Sequence, residues 1–156
     1  MSNFLKYLII ITFIFLNACG YKVYNPQKNY YLGEIKTNGN NRIASVIRNN
    51  IKLETQKDNS NILEGSISVE VKKNTKEKSM TGKVISYTIT MNTTLDLNNK
   101  KNDKKIIKTI IQKSSFDVGT HHSTTIKNEK RILDVLITKT SEEIDEYLVS
   151  IFKSDN

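Results

Sequence analysis

The chain contains little of several residue types on which function is often built. It has one cysteine, one proline and six glycines among 156 residues. The glycines are too few and too scattered for a phosphate-cradling loop. A single cysteine gives no second thiolate for a cysteine-based metal site. No internal repeat is visible, and beyond the N-terminal segment no apolar run approaches the roughly 20 residues that span a bilayer. The sequence therefore favours neither an enzyme nor a metalloprotein.

The first residues have the pattern of an export signal. Lys6 supplies a positive start, and the apolar run YLIIITFIFL occupies residues 7–16. A run of this length is typical of a signal peptide and is too short to cross a bilayer. We predict that residues 1–18 are a lipoprotein signal peptide and are removed.

The only cysteine lies directly behind this run. Leu16, Asn17, Ala18 and Cys19 resemble the bacterial lipobox, in which a diacylglycerol thioether forms on the cysteine sulfur and the cysteine becomes the first residue. Stable anchoring needs two or more acyl chains, because each buried methylene contributes about 0.8 kcal/mol. The alternative is an ordinary signal peptide and a buried free thiol, although a lone thiol is a liability in an oxidising compartment. We predict lipidation at Cys19, and Gly20 in place of an aspartate favours the outer membrane, on its periplasmic side.

The chain is basic, with a formal net charge of +8 that falls by one when Lys6 is removed. A basic protein of this size often binds nucleic acid, but export argues against that partner. The abundant anions at an outer membrane are the phosphates of lipopolysaccharide, which lysines bind as point charges. For any single lysine, surface solubility remains the more common role.

The mature chain is predicted to be a short lipidated tether, residues 19–29, followed by one α+β domain, residues 30–156. Strands are expected at 62–73 and 82–97, where apolar and polar residues alternate. A first strand is expected at 30–37, which is rich in aromatic and β-branched residues and ends at the turn signal Asn38-Gly39, and a fourth at 105–118, where the alternation is less clean. Helices are expected from Asn40 or Asn41 onward and over 124–152, where apolar residues have helical spacing. The order β-α-β-β-β-α predicts a two-layer sandwich, with a four-stranded, mostly antiparallel sheet under two helices.

Three local expectations accompany this fold. In the first helix the apolar face is assigned to Ile43, Val46, Ile47 and Ile51. In the last strand, Ile106 and Ile110 point opposite to Ile107 and Ile111, which predicts either a bulge or two partly covered faces. In the last helix the acids, which are Glu142, Glu143, Asp145 and Glu146, are interpreted as a solvated face.

Three segments together resemble the LPS-assembly lipoprotein family, LptE. They are Cys19-Gly20-Tyr21, the strand VISYTITMNTTLDL with Tyr87 near its start, and the strand end SSFDV that leads through a polar loop into a long acidic-faced helix. The resemblance implies a lipoprotein that plugs the LptD β-barrel, assists its assembly and helps lipopolysaccharide reach the outer leaflet. It also implies direct contact with lipopolysaccharide, and no cofactor.

Strand topology suggests where that contact would lie. In a meander, the turn KKNTKEKSMTGK (72–83) and the exit GTHHSTTIK (119–127) fall at the same end of the sheet, whereas NNKKNDKK (98–105) falls at the other. We predict a lipopolysaccharide-binding cluster at the end that holds residues 72–83 and 119–127. Its members are Lys72, Lys73, Lys76, Lys78, Lys83 and Lys127, with His121 and His122 nearby. An ordinary solvated turn is the open alternative. The adjacent histidines predict neither a metal site nor a catalytic triad.

A second function remains open, that of a lipid-binding auxiliary lipoprotein in an envelope transport system. A deep apolar pocket between sheet and helices would favour it, whereas lysine-dependent, salt-sensitive binding of lipopolysaccharide would favour the first function. An exported enzyme is a weaker third alternative.

Overall fold

The structure is a computed structural model that describes residues 29–52 and 61–153. In chain order the elements are β1 (Tyr31–Gly39), α1 (Asn41–Lys52), β2 (Ile62–Lys78), β3 (Val84–Asn99), β4 (Lys104–Asp117) and α2 (His122–Lys153). The predicted signal peptide, Cys19 and almost all of the tether lie outside the described residues, so the expectations about them stay predictions.

The four strands form one mixed sheet in the order β1-β2-β3-β4. β1 is parallel to β2, and the other two pairs are antiparallel. Both helices pack on the same face of the sheet, α1 over β1 and β2 and α2 over β3 and β4, and they contact each other. The predicted α+β sandwich and its element order are confirmed. β2 is longer than expected, since its pairing with β3 continues to Lys78.

The core lies between the sheet and the two helices. β3 supplies the largest share of its sheet face, because alternate residues from Ile89 to Leu97 point to the helices and are buried. From α2, Leu136, Ile144 and Leu148 complete the layer. The clean alternation of apolar residues along β3 thus translates directly into one covered face.

The β1–α1 junction is fixed by a tight local geometry. Gly39 has φ +71°, and a Cβ there would lie 2.3 Å from the carbonyl oxygen of Val69, so only glycine fits. Asn40 then caps α1, its Oδ1 accepting a hydrogen bond from Ile43 N at 3.3 Å. Of the two predicted caps, Asn40 is the one used.

Two details of the helix predictions are wrong. Val46 is 42% exposed, and Ala44 takes the buried position beside Ile43 and Ile47, because the face of α1 toward the sheet is rotated from the face that the larger residues suggested. In α2 two of the acids are not simply solvated. Glu143 accepts a hydrogen bond from Gln112 at 2.9 Å, and Asp145 accepts one at 2.8 Å from the hydroxyl of Tyr30.

The prediction that β4 has either a bulge or two partly covered faces is also wrong. Its register with β3 runs without a shift from Asn99↔Lys104 to Ser86↔Asp117, so there is no bulge. Ile106 and Ile110 are buried under α2, whereas Ile107 and Ile111 are 57% and 64% exposed. They lie on the face of the sheet that neither helix covers. The two extra isoleucines therefore mark an open apolar surface within the described residues.

Candidate functional site

The β2–β3 hairpin projects at one end of the sheet. β1 ends opposite Val69, whereas β4 runs along β3 as far as Ser86, the partner of Glu77. Only the turn, residues 78–85, therefore extends past both neighbouring strands. Its tip is closed by two backbone hydrogen bonds, Ser79 N to Lys83 O at 2.8 Å and Gly82 N to Ser79 O at 2.9 Å. Residues 72–78 are all exposed. The sequence thus forms an exposed hairpin end in which five of the twelve residues 72–83 are lysine.

The five predicted hairpin lysines do not all face the same way. Lys72 lies on the open face of the sheet and pairs with Glu70 at 3.1 Å. Lys73 lies on the helix-covered face, pairs with Glu129 of α2 at 2.8 Å and stands 5.1 Å from the centre of the Tyr87 ring. These two lysines are therefore engaged within the domain.

The other three hairpin lysines lie nearest the tip. Lys76, Lys78 and Lys83 are exposed and make no ion pair within residues 29–52 and 61–153. Glu77 is the acid nearest to them in sequence. Beside them at the turn is Met80, whose side chain is fully exposed. Uncommitted ammonium groups around an apolar tip can engage an amphipathic anion.

The predicted meeting of the hairpin with the exit of β4 is partly observed. The Lys73–Glu129 ion pair joins the hairpin to the first turns of α2, and Val118 N donates to Ile85 O at 2.9 Å. Lys127, however, lines an open groove along α2 together with Lys130 and other α2 residues, none of which belongs to the hairpin. No described contact brings Lys127 to the hairpin lysines.

The two histidines form part of the start of α2. The carbonyl oxygen of His121 accepts hydrogen bonds from the amides of Thr124 and Thr125, at 3.1 Å and 3.2 Å. Both imidazoles are exposed. Within the described residues no three histidine, cysteine or acidic side chains are grouped so that they could hold a metal ion.

A second basic surface, not among the predicted site residues apart from Lys127, lies on the outer side of α2. Lys127, Lys130, Arg131 and Lys139 line it with two acids, Asp134 and Glu142. The signal was present, since positions 127, 130 and 131 are three and four residues apart and so share one helix face. The long helix was interpreted from its acids, which lie further along the chain.

At the opposite end of the sheet, two of the four lysines in residues 98–105 form ion pairs. Lys100 binds Glu64 at 3.0 Å, and Lys105 binds Asp96 at 3.2 Å. The hydrogen bond and the charge of Glu64 raise the pKa of Lys100 above its usual 10.5. The β3–β4 loop is basic in sequence, yet two of its lysines are matched by acids, which distinguishes it from the hairpin tip.

A groove of about 550 Å³ lies between α1 and α2. Ile43, Leu133 and Ile137 supply apolar lining, and Arg42 and Lys130 are among its charged residues. This groove opens between the helices and is not the deep pocket between sheet and helices that a lipid carrier was expected to show.

Neither helix in the described part of the chain is both long enough and apolar enough to cross a membrane.

Comparison with known proteins gives a match of fold. No protein-family model matches the chain, and no curated protein matches it in sequence. Among solved structures, the uncharacterized lipoprotein B of Nitrosomonas europaea superposes with a TM-score of 0.54 at 14% identity, covering 83% of this chain and 90% of that one. A candidate lipoprotein of Caulobacter crescentus gives 0.53 at 11%, covering 78% and 92%. The minor lipoprotein of Acinetobacter baumannii gives 0.51 at 11%, covering 79% and 94%. The chain shares the fold of these three proteins.

Proposed function

We propose that this protein is an outer-membrane lipoprotein, acylated at Cys19, that serves as a non-enzymatic partner of the LptD β-barrel in delivering lipopolysaccharide to the outer leaflet. The observation that carries the proposal is the combination of the Leu16–Cys19 lipobox with a fold found in three proteins described as lipoproteins. The resemblance of Cys19-Gly20-Tyr21 and of the β3 sequence to the LptE family supplies the partner.

Within this function the tip of the β2–β3 hairpin binds the lipopolysaccharide phosphates. Among the hairpin lysines of the predicted cluster, Lys76, Lys78 and Lys83 are exposed and without an ion pair in the described region. Lys127 is also exposed and has no ion pair there, but it lines the groove along α2 and not the hairpin. Lys72 and Lys73 would have to leave Glu70 and Glu129 to bind a phosphate. We therefore narrow the site to the three tip lysines.

The partner is tested by purifying the acylated protein in a gentle detergent. The expected result is one large β-barrel recovered in an equimolar amount, with the amount reduced strongly for Cys19→Ser because the unanchored chain no longer accumulates at the membrane. Mass spectrometry of the N-terminal peptide reports acylation directly. Recovery of the acylated protein without any barrel would reject the partnership and leave the anchor intact.

Lipopolysaccharide binding is tested with Lys76, Lys78 and Lys83 replaced together by serine. The matched control replaces three exposed lysines elsewhere, Lys36, Lys104 and Lys139, and thus changes the net charge equally. Exposed charge contacts contribute about 0.2–1 kcal/mol each, so the tip variant should bind roughly 10-fold more weakly at low salt, and less so at high salt. Equal weakening in the two variants would mean that only the net charge matters.

The lipid-binding alternative is favoured by one feature, the apolar lining of the α1–α2 groove, whose charged residues are two basic and two acidic, Arg42, Lys130, Glu129 and Asp134. It predicts that Leu133→Arg, a change within the groove, reduces binding of a fluorescent fatty acid or phospholipid, while the tip lysine variant does not. The LptD-partner function predicts that the tip lysine variant reduces binding of lipopolysaccharide and that Leu133→Arg does not.

A further inference from the structure

The two edges of the sheet differ in how they are protected. β1 has nine residues and a register shift between Leu32 and Ile35, and Arg48 Nη1 donates to the carbonyl oxygen of Ile35 at 3.5 Å. Short length and irregularity are features that keep an edge strand from pairing with another chain. β4 has 14 residues, no proline and no register shift. No strand in the described part of the chain pairs with its free side.

β4 also carries apolar side chains that the fold does not use. On the open face its residues alternate as Lys105, Ile107, Thr109, Ile111 and Lys113. The two isoleucines are more than half exposed. A long, regular edge strand with exposed β-branched residues is a ready template for strand addition.

The charge of the strand indicates what it pairs with. Within Lys104–Asp117 there are four lysines and one aspartate. Lys105 is held by Asp96 and Lys108 stands over the ring of Tyr147, whereas Lys113 has no ion pair within the described residues. An incoming strand with acidic residues would complement this edge, since opposite charges across a strand pair stabilise it and like charges destabilise it.

A second copy of the chain is a poorer occupant. In the antiparallel arrangement that pairs all the exposed isoleucines, Ile107 of one copy lies opposite Ile111 of the other. The same register places Lys105 opposite Lys113 at both ends of the pair. Two basic strands would then face each other, and the like charges oppose the pairing.

We propose that the β4 edge is a docking site for an extended acidic segment of a partner protein, which adds to the sheet as a fifth strand. Its backbone pairs with β4, its apolar residues lie beside Ile107 and Ile111, and its acidic residues face Lys113 and its neighbours. The proposal does not depend on which protein supplies the segment, nor on the hairpin site.

The probe is a capped peptide as long as the segment from Lys105 to Lys113. Its open-face side chains are Glu, Val, Thr, Val, Glu in order, with Thr at the remaining positions. The isotope-labelled mature chain in detergent micelles is titrated with it, and amide shifts are followed by NMR. The expected shifts are concentrated in β4, and the same peptide with Lys for Glu binds several-fold more weakly.

Two further peptides test strand addition itself. Each keeps the acidic sequence but is N-methylated at alternate residues, at odd positions in one and at even positions in the other. Alternate amides of a strand point to opposite sides, so one peptide loses its hydrogen bonds to β4 and the other keeps them. Binding of only one of the two supports the proposal. Equal binding of both, or no shift in β4 up to the solubility limit of the acidic peptide, overturns it.

Protein variants complete the test. Lys113→Glu should weaken the acidic peptide by about two- to fivefold, the size of an exposed ion pair, and should strengthen the lysine peptide. Lys36→Glu, on the other edge strand, changes the net charge equally and should leave β4 binding unchanged. Concentration-dependent dimers with shifted β4 amides in the absence of peptide would show that a second copy takes the site, which overturns the proposal.

Discussion

Replacing Tyr30 by phenylalanine should destabilise the domain by about 1.5 kcal/mol. The side chain of Tyr30 is fully buried, and its hydroxyl donates to Asp145 Oδ1 at 2.8 Å across 115 residues of sequence. A hydrogen bond to a charged group contributes about 1.5–3 kcal/mol. We take the lower end because Asp145 is only partly buried. The ring stays in place against Phe152, 5.6 Å away between centroids, so the change isolates the hydroxyl.

The assay is equilibrium unfolding in urea. With a slope of about 2 kcal/mol per molar, a loss of about 1.5 kcal/mol lowers the midpoint by roughly 0.75 M at an unchanged slope. Tyr31→Phe is the matched control, because the neighbouring tyrosine has no hydrogen bond from its hydroxyl within the described residues, and it should move the midpoint little.

A double-mutant cycle with Asp145→Ala assigns the loss to the pair. If the hydrogen bond is responsible, the two changes together cost less than their sum, by about 1 kcal/mol or more. Additive effects, or a Tyr30→Phe variant as stable as Tyr31→Phe, would refute the reasoning that Tyr30 ties the start of the domain to α2.

Three further predictions concern stability. Thr93→Val should raise the free energy of unfolding by about 1 kcal/mol, because the buried hydroxyl of Thr93 has no hydrogen-bond partner among residues 29–52 and 61–153; a less stable variant in thermal unfolding would contradict this. Gly39→Ala should destabilise by about 2 kcal/mol or more, since its Cβ meets the oxygen of Val69 at a positive φ, and a neutral result in urea would be inconsistent. The raised pKa of Lys100 means that its pairing with Glu64 stabilises the fold below pH 10.5 and that this contribution disappears as pH rises through the folded-state pKa. The stability difference between wild type and Glu64→Gln should therefore vanish above that pKa, and a difference that persists there would have another cause.

The sequence predicts the sandwich because local and global signals agree. Apolar and polar residues alternate so regularly along β3 that its buried face can be predicted from the sequence. The pair Asn40 and Asn41 likewise indicates where α1 begins. Val46 was misassigned because residue size does not say which side of a short helix meets the sheet. Asp145 was misjudged for a similar reason, since its partner Tyr30 lies at the other end of the domain sequence. Contacts of this kind depend on the fold and have no local signature.

For the lysine cluster of the β2–β3 hairpin, the sequence predicted a position in the fold but not the state of each side chain. Strand topology grouped the lysines of residues 72–83 with the exit of β4 at one end of the sheet, but the sequence did not show which of these lysines are free of an acidic partner. That depends on two acids, Glu70 and Glu129, of which the second approaches Lys73 only after α2 has packed on the sheet. In β4 the doubled isoleucines were visible in the sequence. That Ile107 and Ile111 form an open apolar surface follows only from the fold, because no described element covers them.

The N-terminal end of the described domain and the basic hairpin lie at opposite ends of the sheet. Tyr30, near the start of the described domain, packs against Phe152 near the end of α2. It lies at the end of the sheet that holds the β3–β4 turn. The hairpin tip is at the far end of β3, whose 16 residues span roughly 50 Å at about 3.3 Å each. Residues 19–28 reach at most roughly 35 Å when fully extended. If Cys19 is acylated, as we propose, an upright domain holds the hairpin away from the anchoring leaflet. Lipopolysaccharide phosphates bound at the proposed tip site would then belong to molecules in transit.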